Sequence, residues 1–168
     1  MFLKTKRLVI TRFMPDMAQR VHELSLDADT RRVVPDEVFE TEVAARETLD
    51  YLISQYEDAH GPLAYAVLLH GGCIGYVQLV PMDNGAWEIG YHIGKAYTGC
   101  GYATEAVSAF LPEIMRRLHL TEVQGICLAE NGASLQVLRK CGFMQTFAGT
   151  GEYQGTKREI RILKYALK

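Results

Sequence analysis

The stretch from Glu88 to Ala106 constrains the fold of this 168-residue chain more than any other. It begins with strand-forming residues up to Ile93, passes through a segment with three glycines, and continues into a long helical pattern of apolar residues. Glycine allows positive φ angles and lets a ligand approach the backbone closely. The first amides of a helix lack intrahelical acceptors and lie at the positive end of its dipole. The stretch therefore predicts a strand–loop–helix unit that can bind phosphate.

The elements around this unit indicate an α/β fold with a mixed sheet. β-branched or alternating runs between turn residues predict strands, and apolar residues at helical spacing predict helices. We expect strands at residues 8–13, 63–69, 73–80, 86–93, 122–128, 157–167 and from Phe143 onward, and helices near residues 17–24 and at 41–59, 103–118 and 131–140. Residues 27–40 and 149–156 are expected to be loops, the first of them a loop or a broken helix.

The turns between these elements define the topology. His70, Gly71 and Gly72 form a short turn, and Asn84-Gly85 forms a second, so three consecutive strands make an antiparallel meander. The long helix then connects residues 86–93 to residues 122–128 as a βαβ crossover, which makes these two strands parallel. Since there is no repeat or linker, residues 1–168 are predicted to form one domain.

Composition excludes several classes of protein. A net charge of −2 gives no basic excess for nucleic acid or an anionic membrane. The four cysteines form no C-x-x-C pair and no histidine lies at ligand spacing from them, so neither a metal site nor a disulfide framework is expected. The segment at residues 1–7 contains no apolar h-region of signal-peptide length, and no apolar run in the sequence is long enough to span a bilayer. We expect a protein of the reducing cytoplasm that binds no metal.

A dinucleotide-binding fingerprint is the rival interpretation of Gly99-Cys100-Gly101. That fingerprint needs its first glycine directly after a strand, within repeated βαβ units. Here residues 94–98 intervene and an antiparallel meander precedes, so the context argues against it.

Three motifs together resemble the GNAT acyltransferase superfamily, most closely its RimJ/RimL-like branch. They are the strand from Glu88 to Ile93, the segment Gly99-Cys100-Gly101-Tyr102-Ala103-Thr104-Glu105-Ala106, and Asn131-x-x-Ser134 followed by Lys140-Cys141-Gly142-Phe143. The order of elements matches over nearly the whole chain. The resemblance implies helices on both faces of the sheet, splayed parallel strands, acetyl-CoA as co-substrate and a primary amine as acceptor.

The resemblance also implies which residues bind acetyl-CoA. The loop amides would hold its pyrophosphate, the backbone of the strand before the loop would pair with its pantetheine arm, and the Asn-x-x-Ser motif would contact that arm. The implied contacts are Tyr91, His92, Ile93, Thr98, Gly99, Cys100, Gly101, Tyr102, Ala103, Thr104, Asn131 and Ser134. Thr98 and Cys100 depart from the family pattern, which has Gln or Arg and then Lys or Arg there. The alternative is that the glycines only make a tight turn.

Glu88 and Ser134 are the candidate catalytic residues. Glu88 would accept the proton of the amine, directly or through water, and desolvation could raise its pKa; alternatively it is an ordinary strand carboxylate. His92 is a weaker candidate for the base. Ser134 would lie near the CoA sulfur, although it is also the N3 residue of a helix capped by Asn131. The tyrosine that many members carry on this helix is replaced by Leu138.

The acceptor is not identified by the sequence. The loops at residues 27–40 and 149–156 should flank it, and they carry residues that could attract a cationic amine: Asp29, Asp36, Glu37, Glu152 and Tyr153. The first expectation is an N-acetyltransferase acting on a primary amine such as a protein N-terminus. A polyamine- or antibiotic-modifying enzyme and a non-catalytic acyl-CoA-binding regulatory module are the alternatives, and a homodimer is a further expectation.

Overall fold

The computed structural model describes residues 1–58 and 60–167, which form one mixed sheet with helices on both of its faces. The strands are β1 (Phe2–Lys4), β2 (Leu8–Arg12), β3 (Leu63–Leu69), β4 (Gly72–Pro81), β5 (Trp87–Ile93), β6 (Glu122–Leu128), β7 (Met144–Tyr153) and β8 (Thr156–Ala166). The α-helices are α1 (Ala18–Ser25), α2 (Ala28–Val33), α3 (Glu42–Ser54), α4 (Tyr102–Arg117) and α5 (Gly132–Lys140). Short 3-10 turns precede α1 and follow α2, α3 and β5.

The strand order is β1-β2-β3-β4-β5-β6-β8-β7. Strands β1 to β5 pair antiparallel in sequence order, whereas β5 and β6 are parallel, as the crossover predicts. Within the described residues, the β5–β6 register consists of one pair, Glu88 opposite Gln124. The two strands therefore separate beyond this pair, and a gap opens toward their carboxyl ends.

The apolar residues divide between the two faces of the sheet. Helices α4 and α5 cover one face, where Phe110, Ile114 and Leu138 are almost fully buried against the strands. Helices α1 and α3 cover the other face, where Ala18 and Leu49 belong to a separate buried cluster. Burial of apolar side chains at both faces is the main favourable term in folding.

Side-chain caps fix where three of the helices begin. Thr41 accepts a hydrogen bond from the Ala44 amide at 3.1 Å, and Asp27 accepts from the Thr30 amide at 3.1 Å. Asn131 accepts from the Ser134 amide at 3.1 Å, which confirms its predicted capping role. Each cap satisfies an amide that the helix itself leaves unpaired.

Two predicted loops contain regular structure. Residues 28–33 form α2, so the alternative of a broken helix in this segment is confirmed, and residues 149–156 belong to the β7–β8 hairpin, so that loop prediction was wrong. The glycines of β7 accommodate side chains: a Cβ on Gly151 would lie 2.5 Å from Ile160 Cδ1. The turn itself is made by Gln154 and Gly155, both with positive φ.

Strand β1 was not predicted, because a three-residue strand carries too little alternation to recognise. The helix predicted at residues 41–59 ends earlier, at Ser54, and continues as a 3-10 turn to Glu57. Its last predicted residue, Ala59, lies outside the described residues.

Candidate active site

The glycine loop presents backbone amides at the start of α4. Gly99 and Gly101 have φ angles of +76° and +81°, a region that side chains with a Cβ rarely adopt. The first hydrogen bond of the helix runs from the Glu105 amide to the Gly101 carbonyl at 3.0 Å. The amides of Tyr102, Ala103 and Thr104 therefore have no acceptor within the helix. This is the geometry that suits an anionic group such as a diphosphate.

Loop residues 98 and 100 contribute few side-chain donors to this site. Thr98 turns its hydroxyl back to donate to the Lys95 carbonyl at 2.9 Å, and the exposed Cys100 carries no charge comparable to Lys or Arg. A cation reaches the loop from elsewhere: Arg7 donates from Nη1 to the Cys100 carbonyl at 3.0 Å. Arg7 was missed by the sequence analysis, since nothing local in a turn between two strands indicates a partner 93 residues away.

The strand before the loop has one edge facing the gap. Tyr91, His92 and Ile93 pair with β4 on one side, and they lie beyond the Glu88–Gln124 pair on the other. Their backbone groups on that side are thus placed where an extended ligand could add to β5 as a strand does. The path of a pantetheine arm along this edge stays a prediction.

Tyr91 and Ser134 meet on the α5 side of the gap. The Tyr91 hydroxyl shares a hydrogen bond with Ser134 Oγ at 2.8 Å and lies 3.1 Å from the Ser134 carbonyl oxygen. Burial raises the pKa of Tyr91, so its hydroxyl keeps its proton at neutral pH. The sequence analysis considered only the backbone of Tyr91. Alternation along β5 puts Ile89, Tyr91 and Ile93 on one face, which is the signal that could have located its ring.

Cys127 lies beside this pair at the buried end of β6. Burial raises the pKa of its thiol, and a hydrogen bond with Ser134 opposes that shift. The thiol therefore stays protonated at neutral pH and packs as a small apolar side chain.

Glu88 lies on the opposite face of the sheet, since it alternates with Ile89 and Tyr91 along β5. Burial raises the pKa of its carboxyl group to about 7, a hydrogen bond from the Ile126 backbone amide acts in the opposite direction, and the neighbouring charge of Glu37 raises it further. Ile126 lies two residues past Gln124, where the strands have separated. A carboxyl group with this pKa can accept a proton near neutral pH.

Glu37 is held near Glu88 by two side chains of β4. It accepts hydrogen bonds from the Tyr76 hydroxyl and from Gln78 Nε2, the latter at 3.1 Å. Gln78 lies opposite Gly90, and a Cβ on Gly90 would be 2.8 Å from Gln78 Nε2. Because Gly90 has no Cβ, the Gln78 side chain can lie across β5 and reach Glu37.

His92 connects β5 to α2. Its Nε2 lies 2.9 Å from Thr30 Oγ1, and the Thr30 hydroxyl donates to Asp27 Oδ2 at 2.6 Å. Because the single Thr30 proton goes to Asp27, Nε2 of His92 must be the donor to Thr30, which assigns the tautomer. Burial lowers the pKa of His92, and Asp27 acts in the opposite direction. The ring is thus neutral, and these contacts make it an anchor for α2.

Two further contacts join the α2 segment to the far side of the gap. The Tyr153 hydroxyl at the end of β7 donates to the Val33 carbonyl at 2.7 Å, and burial raises its pKa to about 12. Arg32 forms an ion pair with Glu130 at 3.0 Å. Segment 28–37 therefore spans the gap on the face that carries Glu88.

The structure separates the predicted acceptor residues into two groups. Glu37 and Tyr153 lie near Glu88, and the negative charges of both glutamates add to burial in raising the pKa of Tyr153. Asp29 is instead occupied by an ion pair with Lys95, and Asp36 and Glu152 are exposed. Leu138 is a core residue whose Cδ2 would lie 2.8 Å from a Cβ on Gly125.

Across residues 1–58 and 60–167, no group of three or more His, Cys, Asp or Glu side chains is arranged to hold a metal ion. Within the same residues, none of the helices combines the length and apolarity that crossing a membrane requires.

The chain belongs to the GNAT acetyltransferase family. The model of this family, described as an acetyltransferase (GNAT) domain, matches residues 7–144. The protein is therefore an N-acetyltransferase of the GNAT class. Among curated relatives, the uncharacterized N-acetyltransferase YnaD of Bacillus subtilis is 27% identical over 144 residues, which cover 84% of this chain and 82% of YnaD.

Solved acetyltransferases share this architecture. RimL, a ribosomal L7/L12 alpha-N-protein acetyltransferase in complex with coenzyme A, superposes with a TM-score of 0.86 at 18% identity and covers 99% of this chain and 98% of its own. MccE, the microcin C7 self-immunity acetyltransferase in complex with acetyl-CoA and AMP, has a TM-score of 0.84 at 14% identity and covers 97% and 94%. At these identities the likeness shows the fold, not the acceptor.

Proposed function

We propose that this protein transfers the acetyl group of acetyl-CoA to a primary amine by direct attack in a ternary complex. The observation that carries the proposal is the pair of proton-handling groups on opposite faces of the β5–β6 gap. Glu88, with a pKa of about 7, lies on one face, and the Tyr91–Ser134 pair lies on the other. An acetyl group held in the gap would have a base on its acceptor side and a hydroxyl donor on its sulfur side.

The residues of the gap match the three requirements of the reaction, which are deprotonation of the amine, stabilisation of the oxyanion and protonation of the departing sulfur. Glu88 takes one proton from the ammonium group, and the amine nitrogen then forms a bond to the carbonyl carbon as the carbon–sulfur bond breaks. The second proton that the nitrogen loses on becoming an amide balances the proton that the thiolate gains. A backbone amide facing the gap stabilises the negative charge that develops on the carbonyl oxygen. The Ser134 hydroxyl donates toward the departing sulfur, and the Tyr91 hydroxyl supports Ser134 through their 2.8 Å hydrogen bond.

The proposed co-substrate contacts are those implied by the family resemblance. The amides of residues 99–104 would hold the diphosphate, the backbone of residues 91–93 would pair with the pantetheine arm, and Asn131 and Ser134 would border it. The observed positive φ angles and the gap beside β5 support this assignment. RimL and MccE were solved with coenzyme A and acetyl-CoA, which also supports it.

Release of free thiol from acetyl-CoA, measured with a panel of primary amines, tests the activity. We expect turnover by the wild-type protein and a loss of about 100-fold or more in both Glu88→Gln and Ser134→Ala, since a general acid or base contributes about 100- to 10,000-fold. Glu122→Gln is the matched control, since Glu122 lies at the start of β6 in an exposed pair with Lys164 and should turn over normally. Unchanged rates in both site variants would remove the assigned roles.

A cationic amine is the acceptor class that we propose. Glu37 and Glu88 place two carboxyl groups beside the gap, and opposite charge attracts an ammonium group before it loses its proton. Peptides with a free α-amino group are the first acceptors to test, because RimL is named as an alpha-N-protein acetyltransferase. Small amines such as polyamines and aminoglycosides form the second set of the same panel.

A binding module without turnover is the alternative. It is motivated by Thr98, Cys100 and Leu138, which replace the residues that many members carry there. Calorimetric titration with acetyl-CoA, combined with the amine panel, distinguishes a binding module from an enzyme. Binding with no thiol release for any amine would support the module, whereas thiol release supports the enzyme.

A further inference from the structure

We propose that Arg7 is a positioning residue for the diphosphate of acetyl-CoA, acting by neutralising Glu105 and fixing the carbonyl of Cys100. This inference rests on the proposed use of acetyl-CoA. It assigns a role to the turn between β1 and β2, which otherwise lies outside the active site. The contacts of Arg7 on the glycine loop and on the first turn of α4 carry the argument.

Arg7 contacts the loop and helix through its side chain and its backbone. Nε lies 2.7 Å from Glu105 Oε2, and the backbone amide lies 2.8 Å from Glu105 Oε1. Nη1 donates to the Cys100 carbonyl at 3.0 Å, and the guanidinium carbon lies 4.4 Å from the centre of the Tyr102 ring. One side chain thus contacts three positions between residues 100 and 105.

Glu105 would oppose phosphate binding if it were unpaired. It lies in the first turn of α4, directly after residues 102–104, whose amides have no acceptor within the helix. Burial raises the pKa of its carboxyl group, but hydrogen bonds from Thr5 and Arg7 outweigh this effect and hold the pKa below its usual value. Glu105 is therefore ionised at neutral pH. Arg7 neutralises that charge and engages both of its oxygens, so the helix start remains attractive to an anion.

Arg7 also supplies a positive charge beside the loop, which positions 98 and 100 do not. Thr98 and Cys100 bring no cation to the loop, whereas a Cβ on Gly101 would lie 3.5 Å from Arg7 Nη2. The guanidinium group is thus adjacent to the residue that precedes α4. Its hydrogen bond to the Cys100 carbonyl ties down the peptide between Cys100 and Gly101, whose amide belongs to the loop.

The Arg7→Gln variant tests the proposal. Charge-assisted hydrogen bonds contribute enough that we expect about 10- to 100-fold weaker binding of acetyl-CoA by calorimetry. Acetyl-pantetheine lacks the diphosphate, so its affinity, measured by NMR titration, should change less than about 2-fold. Lys6→Gln is the matched control, because it removes an exposed positive charge one residue away and should change neither affinity by more than about 3-fold.

A double variant distinguishes this role from simple anchoring of the β1–β2 turn to α4. In Arg7→Gln/Glu105→Gln the repulsive carboxylate is gone, so we expect acetyl-CoA affinity to recover at least about 5-fold relative to Arg7→Gln. A merely structural role predicts no recovery, since the second substitution restores none of the lost contacts of the Arg7 side chain with Glu105 and Cys100. If Arg7→Gln does not fold, Arg7→Lys replaces it, and we expect about 3- to 10-fold weaker binding of acetyl-CoA alone because one ammonium cannot reproduce the fork of contacts.

Three results would overturn the role of Arg7. They are wild-type affinity for acetyl-CoA in the Arg7 variant, an equal loss for acetyl-pantetheine, and a double variant that recovers nothing. Failure of the wild-type protein to bind acetyl-CoA is a different result, which would contradict the proposed function itself.

Discussion

At the residue scale, the environment of Glu88 determines its chemistry. A strand carboxylate in water would stay ionised above its ordinary pKa of 4.5, whereas burial at the β5–β6 gap raises this value to about 7. The raised pKa makes the group a better proton acceptor at neutral pH, and it also makes the ionised form costly to keep buried. Activity and stability should therefore respond to pH in opposite directions.

The pH dependence of both quantities is the first prediction. The rate should rise with pH through about 7, because the base must be deprotonated. Since the folded pKa of Glu88 is above the unfolded one, the folded state binds more protons at Glu88 between about 4.5 and 7, so the contribution of Glu88 to the free energy of unfolding falls over this window and is level above it. The total fall is up to about 3 kcal/mol. The lowered pKa of His92 acts in the opposite direction below about 6.5, so the contribution of Glu88 is read from the difference between wild type and Glu88→Gln.

Glu88→Gln removes both effects in one variant. We expect the residual rate of this variant not to rise with pH near 7. Its free energy of unfolding, measured with urea, should exceed that of the wild type at pH 8 but not at pH 4.5. Glu122→Gln should retain both wild-type profiles. A stability difference that is the same at the two pH values would show that Glu88 titrates normally in the folded protein.

At the element scale, α2 is a short helix whose position depends on few contacts. The buried Thr30 joins Asp27 to His92, and Tyr153 holds the Val33 carbonyl. These contacts place Glu37, in the turn after α2, next to Glu88. Loss of one of them should therefore affect stability and amine binding together.

Thr30→Val is the prediction at this scale. Valine fills the same space but leaves the buried His92 Nε2–H without its acceptor, which costs about 1 to 3 kcal/mol in the free energy of unfolding. We expect a raised KM for the amine with an unchanged KM for acetyl-CoA. Thr150→Val, at an exposed threonine paired with Glu159, is the control and should be nearly neutral. An unaltered KM for the amine in Thr30→Val would contradict a role of α2 in acceptor binding.

The packing of α5 on β6 gives a second prediction for elements. A Cβ on Gly125 would lie 2.8 Å from Leu138 Cδ2 and 3.3 Å from Ile89 Cγ2, so Gly125→Ala should destabilise the protein by about 1 to 3 kcal/mol through overpacking. A Cβ on Gly132 would meet nothing within 4 Å, so Gly132→Ala should be neutral or slightly stabilising. Thermal unfolding of the two variants checks this contrast, and equal midpoints would contradict it.

Sequence patterns predicted the helices and strands whose signals lie within a short segment of the chain. β6 was predicted with the bounds that the structure has, and α5 was located by the cap at Asn131. The strand from Phe143 onward was predicted, but the second half of β7 was mistaken for a loop because its glycines make room for Ile160 and Phe147, which no pattern along one strand can show. Helix α2 was only one of two alternatives, because six residues are too few to establish a helical period.

At the scale of the whole molecule, the sheet brings together groups that are distant in sequence. Glu88 and Ser134 belong to different elements and opposite faces, and the separation of β5 from β6 places both at one gap. Sequence motifs indicated these two residues and the glycine loop. They could not indicate Arg7, the hydrogen bond between Tyr91 and Ser134 or the Glu37 contacts with Tyr76 and Gln78, since each depends on a tertiary contact.

The net charge of −2 gives no overall attraction for a polyanionic co-substrate. Under the proposed function, binding would therefore depend on local groups, namely the amides of residues 99–104 and the neutralisation of Glu105 by Arg7. Thr98 and Cys100 reduce the side-chain contribution, which makes this arrangement more important than in a loop with its own cations.

A crystal structure of the protein with acetyl-CoA and a primary-amine acceptor analogue tests the central claim most directly. The account predicts that the diphosphate lies on the amides of residues 99–104 and that the acetyl carbonyl lies in the β5–β6 gap. Ser134 Oγ should be within hydrogen-bond distance of the sulfur, and the amine should approach from the face that carries Glu88. An acetyl group outside the gap, or an amine on the Ser134 face, would contradict it.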